Sequence, residues 1–224
     1  TIADPPPTLY VRGRAALDDP CMFAIVGARN CSAYGTRMTR RIARELSEAG
    51  VTVVSGLARG IDSAAHRGAV DARARTVAVL GCGIDVVYPP ENRTLYEEIL
   101  ANGGSIVTEE PPGTPPLAHN FPARNRIISG MSRAVLLVEA ARHSGAMSTV
   151  RHAIDQSRDV MALPGQADSV LSSSPHALIR DGARLVASAK EILEDLGWDR
   201  LEIDGRRPSD GPLQLTAAEQ QVYN

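Results

Sequence analysis

Lysine is almost missing from this chain. Of its 24 basic residues only Lys190 is lysine, and the rest are arginine, a bias that a GC-rich genome alone produces. The shortage still removes chemistry. A phosphate-loop nucleotidase needs G-x-x-x-x-G-K-[ST], and Lys190 has no such context. A Schiff-base enzyme would have to use this same lysine, which sits in a Glu-rich stretch. Cysteine is scarce too: Cys21, Cys31 and Cys82 are odd in number and form no C-x-x-C pair, which suits a reducing compartment and argues against structural zinc. The five histidines never form H-E-x-x-H, so no zincin-type metal site is expected. No apolar run approaches the roughly 20 residues that span a bilayer, and no signal peptide opens the chain. A cytoplasmic protein without membrane contact is expected.

What is present fits a globular protein: 224 residues, 43% hydrophobic and 22% charged. The chain opens at Thr1 rather than Met and ends at Asn224 in a helix-like stretch, as part of a longer protein would. Residues 1–19 read as a lead-in from an upstream domain, with Asp4-Pro-Pro-Pro as linker and a strand at Leu9-Tyr-Val-Arg. The core is expected over 20–197. A polar linker follows over 198–215, and 216–224 begin a truncated C-terminal domain. The net charge of -2 hides a sorted distribution. From Met22 to Arg67 seven arginines face three acids, and from His119 to Arg133 three arginines face none. From Ala189 onward eight acids face four bases. A local basic patch therefore survives the acidic total.

Short apolar runs at Met22–Val26, Val51–Ser55, Thr76–Leu80, Ser105–Thr108, Ala134–Val138 and Asp159–Leu163 read as strands buried on both faces. Helical stretches alternate with them. Over Thr36–Ala49, Met38, Ile42 and Leu46 form the buried stripe, Gly50 ends the helix, and Arg37, Arg40, Arg41 and Arg44 face solvent. Asp62 is expected to N-cap a second helix whose small residues Ala65, Gly68, Ala69 and Ala72 allow close helix–sheet packing. Further helices are expected from Asn92 or Thr94 to Leu100 and over Met147–Ser157. Strand–helix repeats of this kind imply an α/β fold: an extended Rossmann-like, doubly wound, mostly parallel sheet with helices on both faces.

In such a sheet the ligand crevice lies in the loops beyond the strands' carboxyl ends. Glycine and arginine collect there, in Gly27-Ala-Arg-Asn, Ser55-Gly-Leu-Ala-Arg-Gly-Ile-Asp62, Gly81-Cys-Gly and Phe121-Pro-Ala-Arg-Asn-Arg. Glycine lets backbone N–H groups approach an anion, and a guanidinium forks two phosphate oxygens. A dinucleotide fingerprint is missing, because Gly81-Cys-Gly lacks its third glycine. A polynucleotide fits better. Tyr34, Tyr88 and Phe121 all fall in these loops although the chain is only 4% aromatic. Bases of single strands stack on such rings. Tyr88, in a Tyr-Pro strand exit, is expected to pack, which leaves Phe121 as the better stacking candidate.

These segments together resemble the DNA-processing protein A (DprA/Smf) family from about Asp4 to Trp198. Val26-Gly-Ala-Arg, Ser55-Gly-Leu-Ala-Arg-Gly-Ile-Asp62, Gly81-x-Gly-x-Asp-x-x-Tyr-Pro89, Phe121-Pro-x-Arg-Asn-Arg-Ile-Ile-Ser-Gly130, Glu139 with Ser144-Gly145, and Leu163-Pro-Gly165 look like its motifs. The resemblance implies a Rossmann-like core that binds single-stranded DNA and helps load the RecA recombinase during natural transformation, without enzymatic activity or cofactor. It implies a DNA pocket of Gly27, Arg29, Gly56, Arg59, Phe121, Arg124 and Arg126. Arg29 and Arg59 would hold phosphates, Phe121 would contact a base, and Asn125 would fix the loop. It also implies homodimerisation through Ile179 and Leu185, positions that ordinary core packing explains equally well. Lysines usual near the family's pocket are absent here, so arginine must carry the patch.

The rival class is enzymatic. Nucleoside 5′-monophosphate phosphoribohydrolases use Pro-Gly-Gly-x-Gly-Thr-x-x-Glu to hold phosphate and supply a catalytic carboxylate. The comparable stretch here, Glu139 to Thr149, lacks the glycine cluster and the following glutamate. Glu139, Asp62 and His66 are available for acid–base work, but no nucleophile–base motif accompanies them. A third class is an interaction scaffold with a vestigial pocket, which an arginine-rich mouth disfavours.

Overall fold

The computed structural model describes residues 2–14 and 17–198. Eight strands form one sheet: β1 (Tyr10–Gly13), β2 (Met22–Val26), β3 (Thr52–Ser55), β4 (Thr76–Val79), β5 (Ser105–Thr108), β6 (Ala134–Leu137), β7 (Asp159–Ala162) and β8 (Arg184–Leu185). Their order is β1-β5-β4-β3-β2-β6-β7-β8, and every pairing is parallel except that of β1 with β5. The strands foreseen from 22 to 163 all form, within a residue at each end. The lead-in strand is the sheet's antiparallel edge, so residues before 20 complete the core's own sheet.

Successive residues of a strand point to opposite faces, and the core divides accordingly. Phe23, Ile25, Val53 and Leu136 face one way, toward α1 (Ala33–Glu48), α2 (Ile61–Asp71) and α7 (Ala189–Leu196). Met22, Ala24, Val54, Val135 and Leu137 face the other, toward α4 (Asn120–Met131), α5 (Ala146–Asp155) and α6 (Ser173–Arg180). The remaining helix, α3 (Arg93–Ala101), covers β4 and β5 with Leu95, Tyr96 and Ile99. Trp198 is buried in the first of these layers, so it belongs to the core rather than to a linker. Residues 199–224, where the rest of the linker and the start of a further domain are expected, lie outside the described residues.

Three expectations need correction. Asp62 does not cap α2. The cap position is Gly60, and Asp62 is the buried second residue of the helix, where its carboxylate accepts from the backbone of Ala58 and Gly56. Gly68 packs on a helix rather than on the sheet: a Cβ there would stand 2.5 Å from the carbonyl oxygen of Arg40 in α1. The segment Phe121–Gly130 is helical, not a loop. Pro122 is tolerated because it lies in the first turn, where backbone N–H groups have no helical acceptor. Among the residues α4 buries, Asn120, Arg124, Asn125 and Ser129 are polar, and this erases the apolar stripe that announces a helix.

Candidate nucleic-acid interface

The chain leaves β2 to build β3, β4 and β5 on one side, then crosses back to place β6 on the other side of β2. The loops beyond β2 and β6 diverge at that reversal, as they do at ligand crevices of open α/β sheets. A crevice of about 710 Å³ opens there, with Gly27, Arg29, Phe121, Arg124, His143 and Thr149 among its lining.

Its first wall is the β2–α1 loop. Ser32 ends that loop and caps α1 through its side chain, which accepts from the Gly35 N–H at 3.0 Å. The buried carboxylate of Glu139, at the end of β6, receives the Ser32 N–H (2.8 Å) and hydroxyl (2.5 Å). The Ala28 N–H donates to the Glu139 carbonyl at 2.6 Å. The loop that carries Arg29 is thus fastened at both ends to the strand across the crevice. It is also locked to the β3–α2 loop. Gly60 has a φ of +73°, and a Cβ there would sit 2.3 Å from the Ala28 carbonyl oxygen, so glycine is required on both counts.

Arg124 forms the floor. Its guanidinium is buried, donates to the carbonyls of Gly56 (2.8 Å) and Val79, and stands beside Asp62. Burial, with Arg29 nearby, pushes it down to about 10, and Asp62 opposes that shift; it remains charged at neutral pH. Gly56 makes room for it, because a Cβ would meet its Nη2 at 2.6 Å. Gly27 similarly clears Ile61 and the Glu139 carbonyl. Both glycines serve internal packing, a different reason from the anion approach expected of them.

Above that floor lies an aromatic pair. Phe121 is 5.5 Å from the Tyr88 ring, with the planes tilted by 39°. Arg29 sits over the Phe121 ring at 5.4 Å and Arg124 at 6.0 Å. Tyr88 is 37% exposed instead of packed away. A small cavity of about 50 Å³ beside this pair is lined by Arg29, Gly56, Arg59, Tyr88 and Phe121. Arg59 is exposed at its rim and ion-paired with Glu91.

Of the expected pocket residues, Gly27, Arg29, Phe121 and Arg124 meet in the crevice, and Gly56 and Arg59 meet in the adjoining cavity. Arg126 does not join them. It forks Glu109 with two 2.7 Å bonds and reaches Asp4, outside the lining of either cavity. Asn125 donates to Ser148 at 2.6 Å and ties α4 to the start of α5, where a loop-fixing role was expected, and it also lines the crevice. Thr149, at the end of the strand-exit stretch that starts at Glu139, joins the lining, and Leu171, which carries no motif, was not foreseen there.

A family model described as DNA recombination-mediator protein A matches residues 1–197. The chain belongs to that family. It is 46% identical to Protein Smf of Escherichia coli strain K12 over 193 residues, which cover 86% of this chain and 52% of that protein. It is 42% identical to a putative DNA processing protein DprA of Mycobacterium tuberculosis, across 97% of this chain and 57% of the relative. The chain spans about half the length of these curated relatives. Among solved structures, DprA of Streptococcus pneumoniae superposes with a TM-score of 0.78 at 40% identity, covering 84% of this chain and 65% of that one. DNA processing protein A of Helicobacter pylori, a structure described for its single-stranded DNA binding mode, gives 0.80 at 31%, covering 88% and 90%. A molybdenum cofactor carrier protein of Chlamydomonas reinhardtii, 16% identical at a TM-score of 0.52, shares the fold alone. The mostly parallel, Rossmann-like architecture of this DNA recombination-mediator family is therefore the one that the strand pattern implied.

Proposed function

We propose that the crevice binds single-stranded DNA with little sequence preference, and that the protein, as a cytoplasmic homodimer, passes the strand to a RecA-type recombinase without catalysing a reaction. The observation that carries this reading is the arrangement of Arg29, Phe121 and Tyr88 over the buried Arg124. Flat rings offer a stacking face to any base, and guanidinium groups beside them neutralise phosphate. Both features suit a flexible strand whose bases are accessible, whereas duplex DNA keeps its faces stacked. The single-stranded DNA binding attributed to the Helicobacter pylori relative points the same way.

For the dimer, Leu185 is the stronger of the two expected contacts. It is 52% exposed on β8, the edge strand of the sheet, where unpaired backbone groups invite a partner strand. Ile179 is half-buried and packs on the core. Hydrolysis of a nucleoside monophosphate is disfavoured because Glu139 spends both carboxylate oxygens on Ser32 and stands outside the crevice lining.

The test compares Phe121→Ala with the parent on strands that carry bases and on abasic strands of equal length. Loss of a stacked base costs about 1–3 kcal/mol, so affinity should fall about fivefold or more on the base-bearing strand and little on the abasic one. Equal losses on both would remove Phe121 from base contact and with it the stacking argument.

A further inference from the structure

Helix α1 carries its charges in an unusual order. Its first twelve residues, 33–44, hold Arg37, Arg40, Arg41 and Arg44 and no acid, and its last four hold Glu45 and Glu48. No acid occupies its first turn and no base its last, the reverse of what the helix dipole favours. Its Arg-to-Glu pairs four residues apart also run in the less favourable direction. Helix stability therefore does not explain the pattern.

All four arginines are exposed along one side of the helix, and they line an open groove of about 790 Å³ with Ala33, Thr36 and Asp71. Arg37 lies over the Tyr34 ring at 5.9 Å. Arg40, Arg41 and Arg44 pair with Asp71, Glu45 and Glu48, but their side chains remain 53%, 51% and 58% exposed. Such pairs contribute little and exchange readily for another anion. The two surfaces are close along the chain: Asn30 is the last residue of the β2–α1 loop to line the crevice, and Ala33, three residues on, is the first to line the groove.

We infer that this ridge is a second polyanion-binding surface, and that its occupant is the sugar–phosphate backbone of the strand as it leaves the crevice. The inference rests on the single-strand reading of the crevice for the origin of that strand. Contact is with phosphates alone, because the ridge offers no exposed aromatic platform of its own beyond Tyr34, whose hydroxyl is tied to the Pro164 carbonyl at 2.7 Å.

Two thymidine oligomers separate the surfaces, one of roughly 5 nucleotides that fills the crevice and one of roughly 20 that reaches beyond it. The intact protein is compared with Arg37→Ala/Arg41→Ala/Arg44→Ala, which leaves the Arg40–Asp71 tie between α1 and α2 in place. Short-strand affinity should be unchanged. Long-strand affinity should fall about tenfold at moderate salt, and the salt slope should drop by about 2 for three lost phosphate contacts. The corresponding Arg→Lys triple should recover most of the loss. Equal long-strand binding by parent and alanine triple would overturn the inference and leave an acidic protein surface as the ridge's partner. Arg29→Ala reports on the crevice separately: if it leaves short-strand binding intact, the crevice reading fails, while a loss confined to the alanine triple still supports the ridge.

Discussion

Arg124 and His66 share a buried pocket, and their charges set how the protein responds to acid. The His66 ring is fully buried and is pushed down to about 3 by burial and by the positive charge of Arg124. Its tautomer follows from its partner. The Thr76 hydroxyl gives its proton to the Val53 carbonyl at 2.6 Å, so it accepts from His66 Nδ1–H at 2.9 Å. An unfolded histidine binds a proton near 6.5, whereas this one stays neutral until about 3. Stability is therefore unaffected by His66 above 6.5 and is lost as pH falls from there toward 3, at up to about 1.4 kcal/mol per pH unit. Urea unfolding of the parent and of His66→Gln across that range should show the shallower dependence in the variant. Arg59 supplies a second test at this scale. Glu91 occupies it as an internal anion, so Glu91→Gln should raise affinity for single-stranded DNA several-fold at low salt. Unchanged affinity would show that Arg59 does not reach the strand. Arg29 was legible as a candidate from its residue type in a strand-end loop, and Phe121 as an aromatic ring in a segment rich in arginine, although that segment proved to be a helix. Tyr88 was read as packing, because a Tyr-Pro dipeptide does not reveal whether its ring is covered. Arg126 lies apart from the crevice because Glu109 and Asp4 hold it, and these partners are distant in sequence, so only the fold brings them together.

At the scale of elements, the strands were readable because burial on both faces leaves continuous apolar runs, and α1 because its stripe is regular. The two-residue β8 carries no such run and escaped. Helix α4 was hidden because it buries Arg124 and Asn125 toward the crevice and its neighbours, where a helix of the core would bury leucine. Helices α1 and α2 approach closely at Gly68, whose missing side chain lets α2 lie against the Arg40 backbone of α1. Gly68→Val should destabilise by about 1–3 kcal/mol through overpacking, seen as a lowered thermal midpoint. Because α1 begins at the crevice wall, the same variant should weaken DNA binding. An undiminished midpoint would mean that the two helices separate at no cost.

For the whole molecule, the sheet order determines where the crevice lies. The reversal at β2 opens a crevice, and Arg29 from the first half of the chain meets Arg124 from α4 there while the net charge stays at -2. Among the described residues, β8 is the edge of the sheet opposite β1, the edge at which the proposed homodimer would form. Leu185→Asp should shift the protein from dimer to monomer in light scattering while crevice binding of a short strand persists. A dimer that survives this change would place the interface elsewhere. The most direct test of the crevice is fluorescence anisotropy of labelled single-stranded and duplex DNA over a salt series, with the parent and Arg29→Ala. Single-strand preference is expected, with a steep salt slope and a loss of about tenfold in the variant that is nearly equal for all base compositions, since phosphate contacts carry no sequence information. Binding that favours duplex, or that Arg29→Ala leaves intact, would contradict the assignment of this crevice to single-stranded DNA.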